Sequence, residues 1–154
     1  MRILGIDPGT GRIGFGVLER AEPVRYIDCG LISVKAENRA ERLHLIYIEI
    51  VRLLKEFEPD LVALERLFFS KNIKTAMGVS EAIGIILMAT HQANVPVEEY
   101  TPQQVKEVVV GSGRAKKQEV KGMMEILLDR KIKGPDDVAD ALAIAFCHLS
   151  LELI

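Results

Sequence analysis

The sequence predicts a single α/β domain with a mixed five-stranded sheet flanked by helices, and three observations support this prediction. The first 33 residues read as three short strands separated by turns, which is typical of an antiparallel meander. After them, helical and strand patterns alternate, which indicates parallel strands joined by helical crossovers. The chain has 154 residues, of which 49% are hydrophobic, enough for one buried core. We therefore expect one domain over residues 1–154.

The strands are predicted from short apolar runs that end at turn residues. Pro8-Gly9-Thr10-Gly11 ends the first strand, and residues 19–23 separate the second from the third. The fourth strand is apolar almost throughout, as expected of an interior parallel strand covered on both faces. The predicted strands cover residues 2–7, 14–18, 24–33, 61–65 and 95–100.

The helices are predicted from apolar residues at helical spacing and from their end signals. The predicted helices cover residues 40–57, 74–93, 102–109, 116–128 and 137–153. The second helix is rich in small residues, and its apolar side chains spread over more than one face. Its surplus apolar face indicates either a subunit interface or burial between the sheet and a neighbouring element, and the sequence leaves both open.

Charge is distributed unevenly along the chain. The net charge of −2 taken alone argues mildly against a nucleic-acid partner, because such binding depends on neutralising phosphates. Residues 102–135, however, hold eight basic side chains against four acidic ones. This segment is either a solvated helical surface or a contact surface for a polyanion.

The sequence favours a soluble, cytoplasmic protein. The longest uninterrupted apolar run, residues 82–89, is far shorter than the roughly 20 residues that span a bilayer, and the N-terminus lacks a signal-peptide pattern. We therefore expect no membrane association. Cys29 and Cys147 lie far apart without a metal-binding or redox spacing, so we expect both to be reduced.

Four carboxylates are predicted to converge. Asp7 and Glu65 end two apolar strands, and the carboxyl ends of parallel strands are where α/β sheets bind ligands. Asp137 and Asp140 project about 60° apart from one turn of the last helix, at the border of its apolar face. Each has a simpler explanation: Asp7 suits the turn that follows it, and acids in a first helical turn complement the helix dipole.

Carboxylates that face an apolar interior repel one another unless cations neutralise them. Hard oxygen ligands select Mg²⁺ or Mn²⁺, and the chain offers no Cys/His cluster for zinc. Two such ions about 4 Å apart can activate a water and clamp a scissile phosphate. The sequence therefore predicts a metal-dependent phosphodiester hydrolase.

Several segments together resemble the RuvC family of Holliday-junction resolvases. They are Gly-Ile-Asp-Pro-Gly-Thr at 5–10, Leu-Glu-Arg-Leu-Phe at 64–68, Gln-Val-Lys at 104–106, Val-Gly-Ser-Gly at 110–113 and residues 137–145. The resemblance implies a ribonuclease-H-like fold and a homodimer that nicks four-way DNA junctions symmetrically in recombination and repair. It also implies two Mg²⁺ per subunit, for which Mn²⁺ can substitute, and a branch-migration helicase complex of the RuvA-RuvB type as partner.

The resemblance also assigns roles to residues. Asp7, Glu65, Asp137 and Asp140 match the family's metal-binding acids. Lys106 and Lys117 match basic positions near the scissile phosphate, and we expect Lys117 to be catalytic. An aromatic position that contacts bases corresponds to either Phe68 or Phe69. The full set of expected DNA-binding residues is Phe68, Phe69, Lys71, Lys106, Arg114, Lys116, Lys117 and Lys121.

Three other functions fit parts of the sequence. The 5–10 segment is similar to the first phosphate loop of the actin and hexokinase superfamily, although that architecture needs a second related domain. A YqgF-type nuclease shares the fold while acting on structured RNA. A non-catalytic module could bind branched DNA without cutting it, although the complete set of four acids argues against this.

Overall fold

The computed structural model describes residues 1–67 and 73–152, and its centre is the predicted five-stranded mixed sheet. The strands are β1 (Arg2–Asp7), β2 (Arg12–Glu19), β3 (Arg25–Ser33), β4 (Leu61–Glu65) and β5 (Val97–Tyr100). Their spatial order is β3-β2-β1-β4-β5. The β1–β2 and β2–β3 pairs are antiparallel, whereas the β1–β4 and β4–β5 pairs are parallel.

The helices also follow the predicted order. They are α1 (Arg39–Phe57), α2 (Ile73–Gln92), α3 (Pro102–Val110), α4 (Lys117–Leu127) and α5 (Asp136–Leu151). The Asn38 side chain caps α1 by accepting from the backbone N–H of Glu41, and Thr101 and Gln104 form a reciprocal capping box on α3. These caps explain why both helices begin close to their predicted residues.

Two strand starts differ from the prediction by two residues, and the other strand ends agree to within one. β2 begins at Arg12 because its pairing with β3 continues to the Arg12–Ser33 pair. β5 begins at Val97, since the backbone N–H of Val95 instead donates to the carbonyl of Thr90 at the end of α2. The sequence pattern did not reveal that this valine belongs to the helix-ending turn.

Both faces of the sheet are covered. One core lies between the sheet and helices α3, α4 and α5, and includes Ile3, Leu18 and Ala63. The other lies between the sheet and helices α1 and α2, and includes Leu4 and Ile6. This arrangement explains the continuous apolar runs of β1 and β4, since neighbouring side chains of these strands enter different cores.

Glycines bring α5 unusually close to the sheet. A Cβ atom on Gly5 would lie 2.1 Å from the carbonyl oxygen of Ala141, and one on Gly14 would lie 2.0 Å from that of Asp137. Only residues without side chains permit this approach of helix backbone to strands β1 and β2. The first turns of α5 are thereby fixed over the end of β1, where Asp7 lies.

Helix α2 has two apolar sides. Ala82, Ile86 and Ala89 are buried in the core shared with α1, whereas Ile73 and Met77 are 75% and 59% exposed. By length and composition, α2 is the one helix within the described ranges that could cross a membrane. Core helices of soluble proteins pass the same test, and the buried side of α2 shows it to be part of the folded domain. Its exposed apolar side is the surplus face indicated by the sequence.

Candidate active site

The sheet register brings Asp7 and Glu65 together. Ile6 pairs with Leu64 in the parallel β1–β4 ladder, so the next residue of each strand lies at the same carboxyl edge. The two carboxyl groups are close enough for the charge of Glu65 to act on Asp7. A hydrogen bond between them would require a proton on one of them, because two ionised carboxylates only accept.

The environment of the Asp7–Glu65 pair favours a bound proton. Burial, followed by the negative charge of Glu65 and then those of Asp140 and Asp137, raises the pKa of Asp7 to about 8. Burial also raises the pKa of Glu65, while its interaction with Asp7 acts in the opposite direction. At neutral pH and without a cation, the Asp7–Glu65 pair therefore carries about one proton.

Each of the two predicted site acids on α5, Asp137 and Asp140, has a basic partner. The Nζ of Lys117 lies 3.1 Å from Oδ2 of Asp140, and a guanidinium nitrogen of Arg12 lies 3.0 Å from Oδ2 of Asp137. Burial raises the pKa of Asp140 despite the opposing charge of Lys117. Partial burial lowers the pKa of Lys117, but Asp140 outweighs this effect and the net shift is upward.

A cleft of about 260 Å³ collects five of the predicted site residues: Asp7, Glu65, Lys106, Lys117 and Asp140. Its remaining lining is provided by apolar residues of α3, α4 and α5. A larger groove of about 480 Å³ between α1 and the end of α2 is mostly apolar and contains neither an acid cluster nor paired lysines. The smaller cleft is therefore the candidate active site, because it contains the acids and the lysines, although the apolar groove has the larger volume.

The donor chemistry of this site suits a hard divalent cation, since it consists of carboxylate oxygens from β1, β4 and α5. Within residues 1–67 and 73–152, however, no three acidic, histidine or cysteine side chains are arranged to hold a cation as they stand. Asp137 is instead paired with Arg12, and Asp140 with Lys117. A cation at these carboxylates would share them with two positively charged side chains.

The other predicted DNA-binding residues lie outside the cleft lining. Arg114 and Lys116 are exposed on the α3–α4 connection, and Lys121 is half-buried on α4. Phe68, Phe69 and Lys71 lie outside the described residues. Their predicted contacts with DNA therefore remain predictions.

Arg12 is a site residue that the sequence reasoning missed. The basic residues predicted for the site were Lys71 and members of the 102–135 segment, whereas Arg12 reaches Asp137 from the start of β2. The signal that could have found it is the antiparallel hairpin of β1 and β2, in which Gly14 pairs with Asp7. A residue near the start of β2 must therefore lie near the end of β1.

The sequence profile of the family described as "Crossover junction endodeoxyribonuclease RuvC" matches residues 3–148. The chain belongs to the RuvC family. The relative from Thermosipho melanesiensis is 49% identical, with 96% of each chain aligned, and that from Thermomicrobium roseum is 47% identical over 96% of this chain and 92% of its own. Both are named "Crossover junction endodeoxyribonuclease RuvC".

A solved RuvC structure matches the fold closely. Thermus thermophilus RuvC in complex with a Holliday junction substrate superposes with a TM-score of 0.91 at 35% identity, covering 99% of this chain and 94% of that chain. The ribonuclease-H-like fold and the RuvC resemblance predicted from the sequence are thereby confirmed. As a RuvC family member, the chain is a DNA endonuclease.

Proposed function

We propose that this RuvC family member resolves four-way DNA junctions by Mg²⁺-dependent, paired and symmetric nicking, in homologous recombination and DNA repair in the cytoplasm. The observation that carries the proposal is the cleft in which Asp7, Glu65 and Asp140 lie with Lys106 and Lys117. The matching structure of Thermus thermophilus RuvC supports the substrate, because it contains a Holliday junction.

Asp7, Glu65, Asp137 and Asp140 are the proposed ligands for two Mg²⁺ per subunit, with Mn²⁺ as a substitute. When bound, the cations supply an activated water and charge stabilisation for in-line hydrolysis, which leaves 5′-phosphate and 3′-hydroxyl ends. The protein's own contribution is to hold four carboxylates at one sheet edge on packed elements. The close contact of α5 with β1 and β2 gives the site its rigidity.

Lys106 and Lys117 are the proposed contacts to the scissile phosphate. Both line the cleft that contains the acids, and the Lys117 side chain is 62% exposed, which leaves its ammonium group accessible to a DNA strand. A lysine there can bind a phosphate oxygen and offset charge that develops during hydrolysis. We assign a catalytic role to Lys117 and a phosphate-binding role to Lys106.

The remaining DNA contacts in the proposal extend outward from the cleft. Arg114, Lys116 and Lys121 follow the cleft-lining part of α3, where they would bind backbone phosphates on either side of the cut. Phe68 or Phe69 is proposed to stack on an unpaired base near the crossover, and Lys71 is proposed as a further DNA contact. These three follow Leu67, two residues beyond the catalytic acid Glu65.

The exposed side of α2 supports a homodimer. Ile73, Met77, Leu87 and Met88 are all at least 40% exposed, and a Cβ atom on Gly84 would meet nothing within 4 Å. Burial of this apolar stripe against a second copy would stabilise a two-fold dimer, which can present one site to each of two symmetry-related strands. Met77→Glu should yield a monomer in sedimentation velocity, whereas Ile126→Glu, at an exposed position on α4, should not.

A branch-migration helicase complex of the RuvA-RuvB type is the proposed protein partner. Its support is membership of the RuvC family. Loading of such a complex on the same junction would change the position at which this chain cuts, because branch migration moves the crossover along the DNA.

Nick mapping on a synthetic four-way junction tests the proposed function. With Mg²⁺, we expect paired cuts at matching positions on two strands, and with EDTA we expect none. Linear duplex DNA of the same sequence and a structured RNA serve as controls, and neither should be cut at a comparable rate. Cleavage confined to the RNA would indicate the YqgF-type activity, and binding without any cleavage would indicate a non-catalytic module.

A further inference from the structure

The ion pair between Arg12 and Asp137 involves a basic residue from a different part of the fold than the two site lysines. Lys106 and Lys117 approach the acids from α3 and α4, whereas Arg12 approaches from the start of β2. In the described part of the chain, Arg12 is the basic side chain that forms a salt bridge with Asp137, at 3.0 Å. Basic side chains therefore reach the acid cluster from two sides, from α3 and α4 and from the start of β2.

The backbone fixes this contact. Gly14 lies against the backbone of Asp137, so the start of β2 and the first turn of α5 are held together. The Arg12 side chain is 56% exposed and that of Asp137 is 31% exposed. The guanidinium can therefore leave the carboxylate for water without disturbing the packing beneath it.

We propose that Arg12 competes with the divalent cation for Asp137, so that it holds this carboxylate in the cation-free protein and is displaced when a cation binds. The inference rests on the proposed cation site. It goes beyond that site by naming a residue of this chain that opposes cation loading.

The competition follows from the chemistry of the guanidinium. Arginine cannot be deprotonated in a protein and has no acceptor atom, so it cannot join the ligands of a cation. Two positive charges near one carboxylate oxygen also repel each other.

Lys117 does not provide a clean test of this idea. It pairs with Asp140 at 3.1 Å, but it also lines the cleft and has a proposed role at the phosphate, so its removal would change several properties. Arg12 does not line the cleft. Its removal should change cation affinity without removing a proposed catalytic group.

Calorimetric titration of the full-length, EDTA-treated protein with Mn²⁺ tests the proposal. Arg12→Gln should bind Mn²⁺ about two- to five-fold more tightly than wild type, the range expected from loss of an exposed ion pair. Arg20→Gln is the matched control, because Arg20 forms a similarly exposed pair with Glu152 at 2.9 Å, just past the opposite end of β2. The control should bind Mn²⁺ with wild-type affinity.

A second measurement checks the same point through stability. Mn²⁺ should raise the melting temperature of Arg12→Gln more than that of wild type at equal concentration, because tighter binding to the native state stabilises it further. Unchanged or weaker Mn²⁺ binding by Arg12→Gln would overturn the proposal. An equal gain in Arg20→Gln would also overturn it, by showing a general effect of net charge. If wild type itself bound no Mn²⁺, that result would contradict the proposed cation site. It would therefore contradict this inference as well.

Discussion

Helix α5 carries a partly buried polar cluster near each end, and the two clusters differ in how their charges are compensated. Near its start, Asp137 and Asp140 join Asp7 and Glu65 in a cluster whose carboxylates repel. Near its end, His148 is only 3% exposed and its Nδ1 lies 2.6 Å from the hydroxyl of Tyr100. The first cluster needs cations or protons. In the second, the Nδ1 of His148 is paired with a neutral hydroxyl, whereas its Nε2 has no hydrogen-bond partner among the described residues.

The two clusters should also respond to pH in opposite directions. Burial lowers the pKa of His148, although the nearby charges of Glu152 and Glu98 oppose this effect. Burial raises the pKa of Asp7 to about 8. Acid conditions therefore disfavour the native state at the histidine end and relieve repulsion at the acidic end. We infer that the acidic cluster at the start of α5 serves cation binding, whereas the His148 cluster at its end serves the stability of the fold.

The largest expected effect belongs to Asp7. Asp7→Asn should slow junction cleavage by about 10³-fold or more, because loss of one carboxylate disrupts the cation site, while junction affinity changes little. Single-turnover cleavage and gel-shift binding measure the two quantities. Glu152→Gln, at the other end of α5, should cut at the wild-type rate. Normal cleavage by Asp7→Asn would show that Asp7 has no role in the chemistry.

Removal of the Lys117 ammonium should have the next largest effect. Lys117→Ala should slow cleavage by about 10- to 100-fold and weaken junction binding far less, because its charge is needed most during hydrolysis. Lys131→Ala is the control, since Lys131 pairs with Glu125 on the surface and its side chain is 85% exposed. Equal losses of cleavage rate and affinity would reduce Lys117 to an ordinary phosphate contact.

The acidic cluster should make the cation-free protein less stable as pH rises. The folded pKa of Asp7, about 8, exceeds its ordinary value of 3.8, so the native state holds an extra proton between these values. Stability from this group is complete below about pH 4 and is lost as pH rises towards about 8.

Asp7→Asn tests this dependence because asparagine cannot ionise. In EDTA at pH 8, the variant should melt about 3 °C or more above wild type, since about 1 kcal/mol corresponds to about 2–4 °C in a domain of this size. Mg²⁺ should reduce the difference by stabilising wild type. Parallel melting curves of the two proteins between pH 5 and 8 would contradict the proposed repulsion.

The smallest expected effect concerns the histidine end of α5. Tyr100→Phe removes the hydroxyl that bonds to His148 and should cost about 1 kcal/mol in the free energy of unfolding. Because burial lowers the folded pKa of His148, wild-type stability from this residue is present above its ordinary value of 6.5 and declines as pH falls below it. Urea unfolding at pH 7.5 and 5.5 measures both effects. Cleavage by Tyr100→Phe should match wild type; a large loss would link the two ends of α5.

Most of the fold could be predicted because hydrophobic spacing records which faces are buried. The apolar run Leu61–Glu65 indicated a strand covered on both sides, and the structure confirms it between β1 and β5. The boundaries of β2 and β5 were less predictable. They depend on partner strands and on a helix-ending turn, which leave no periodic signal.

The convergence of Asp7, Glu65 and Asp140 could be predicted because strand ends and helix turns fix where side chains point. The ion pairs formed by Asp137 and Asp140 could not be predicted from the sequence. The contact of Arg12 with Asp137 joins residues 125 positions apart and depends on the close approach of Gly14 to α5. A sequence pattern identifies the acids but not the basic side chain that reaches them from another element.

Proton release during Mn²⁺ binding tests the central claim most directly. If a cation replaces the proton held by the Asp7–Glu65 pair, titrations in buffers of different ionisation enthalpy should show release of about one proton at pH 7 and nearly none at pH 9. These values follow from the Asp7 pKa of about 8. Mn²⁺ binding without proton release at pH 7, or no Mn²⁺ binding at either pH, would contradict the account.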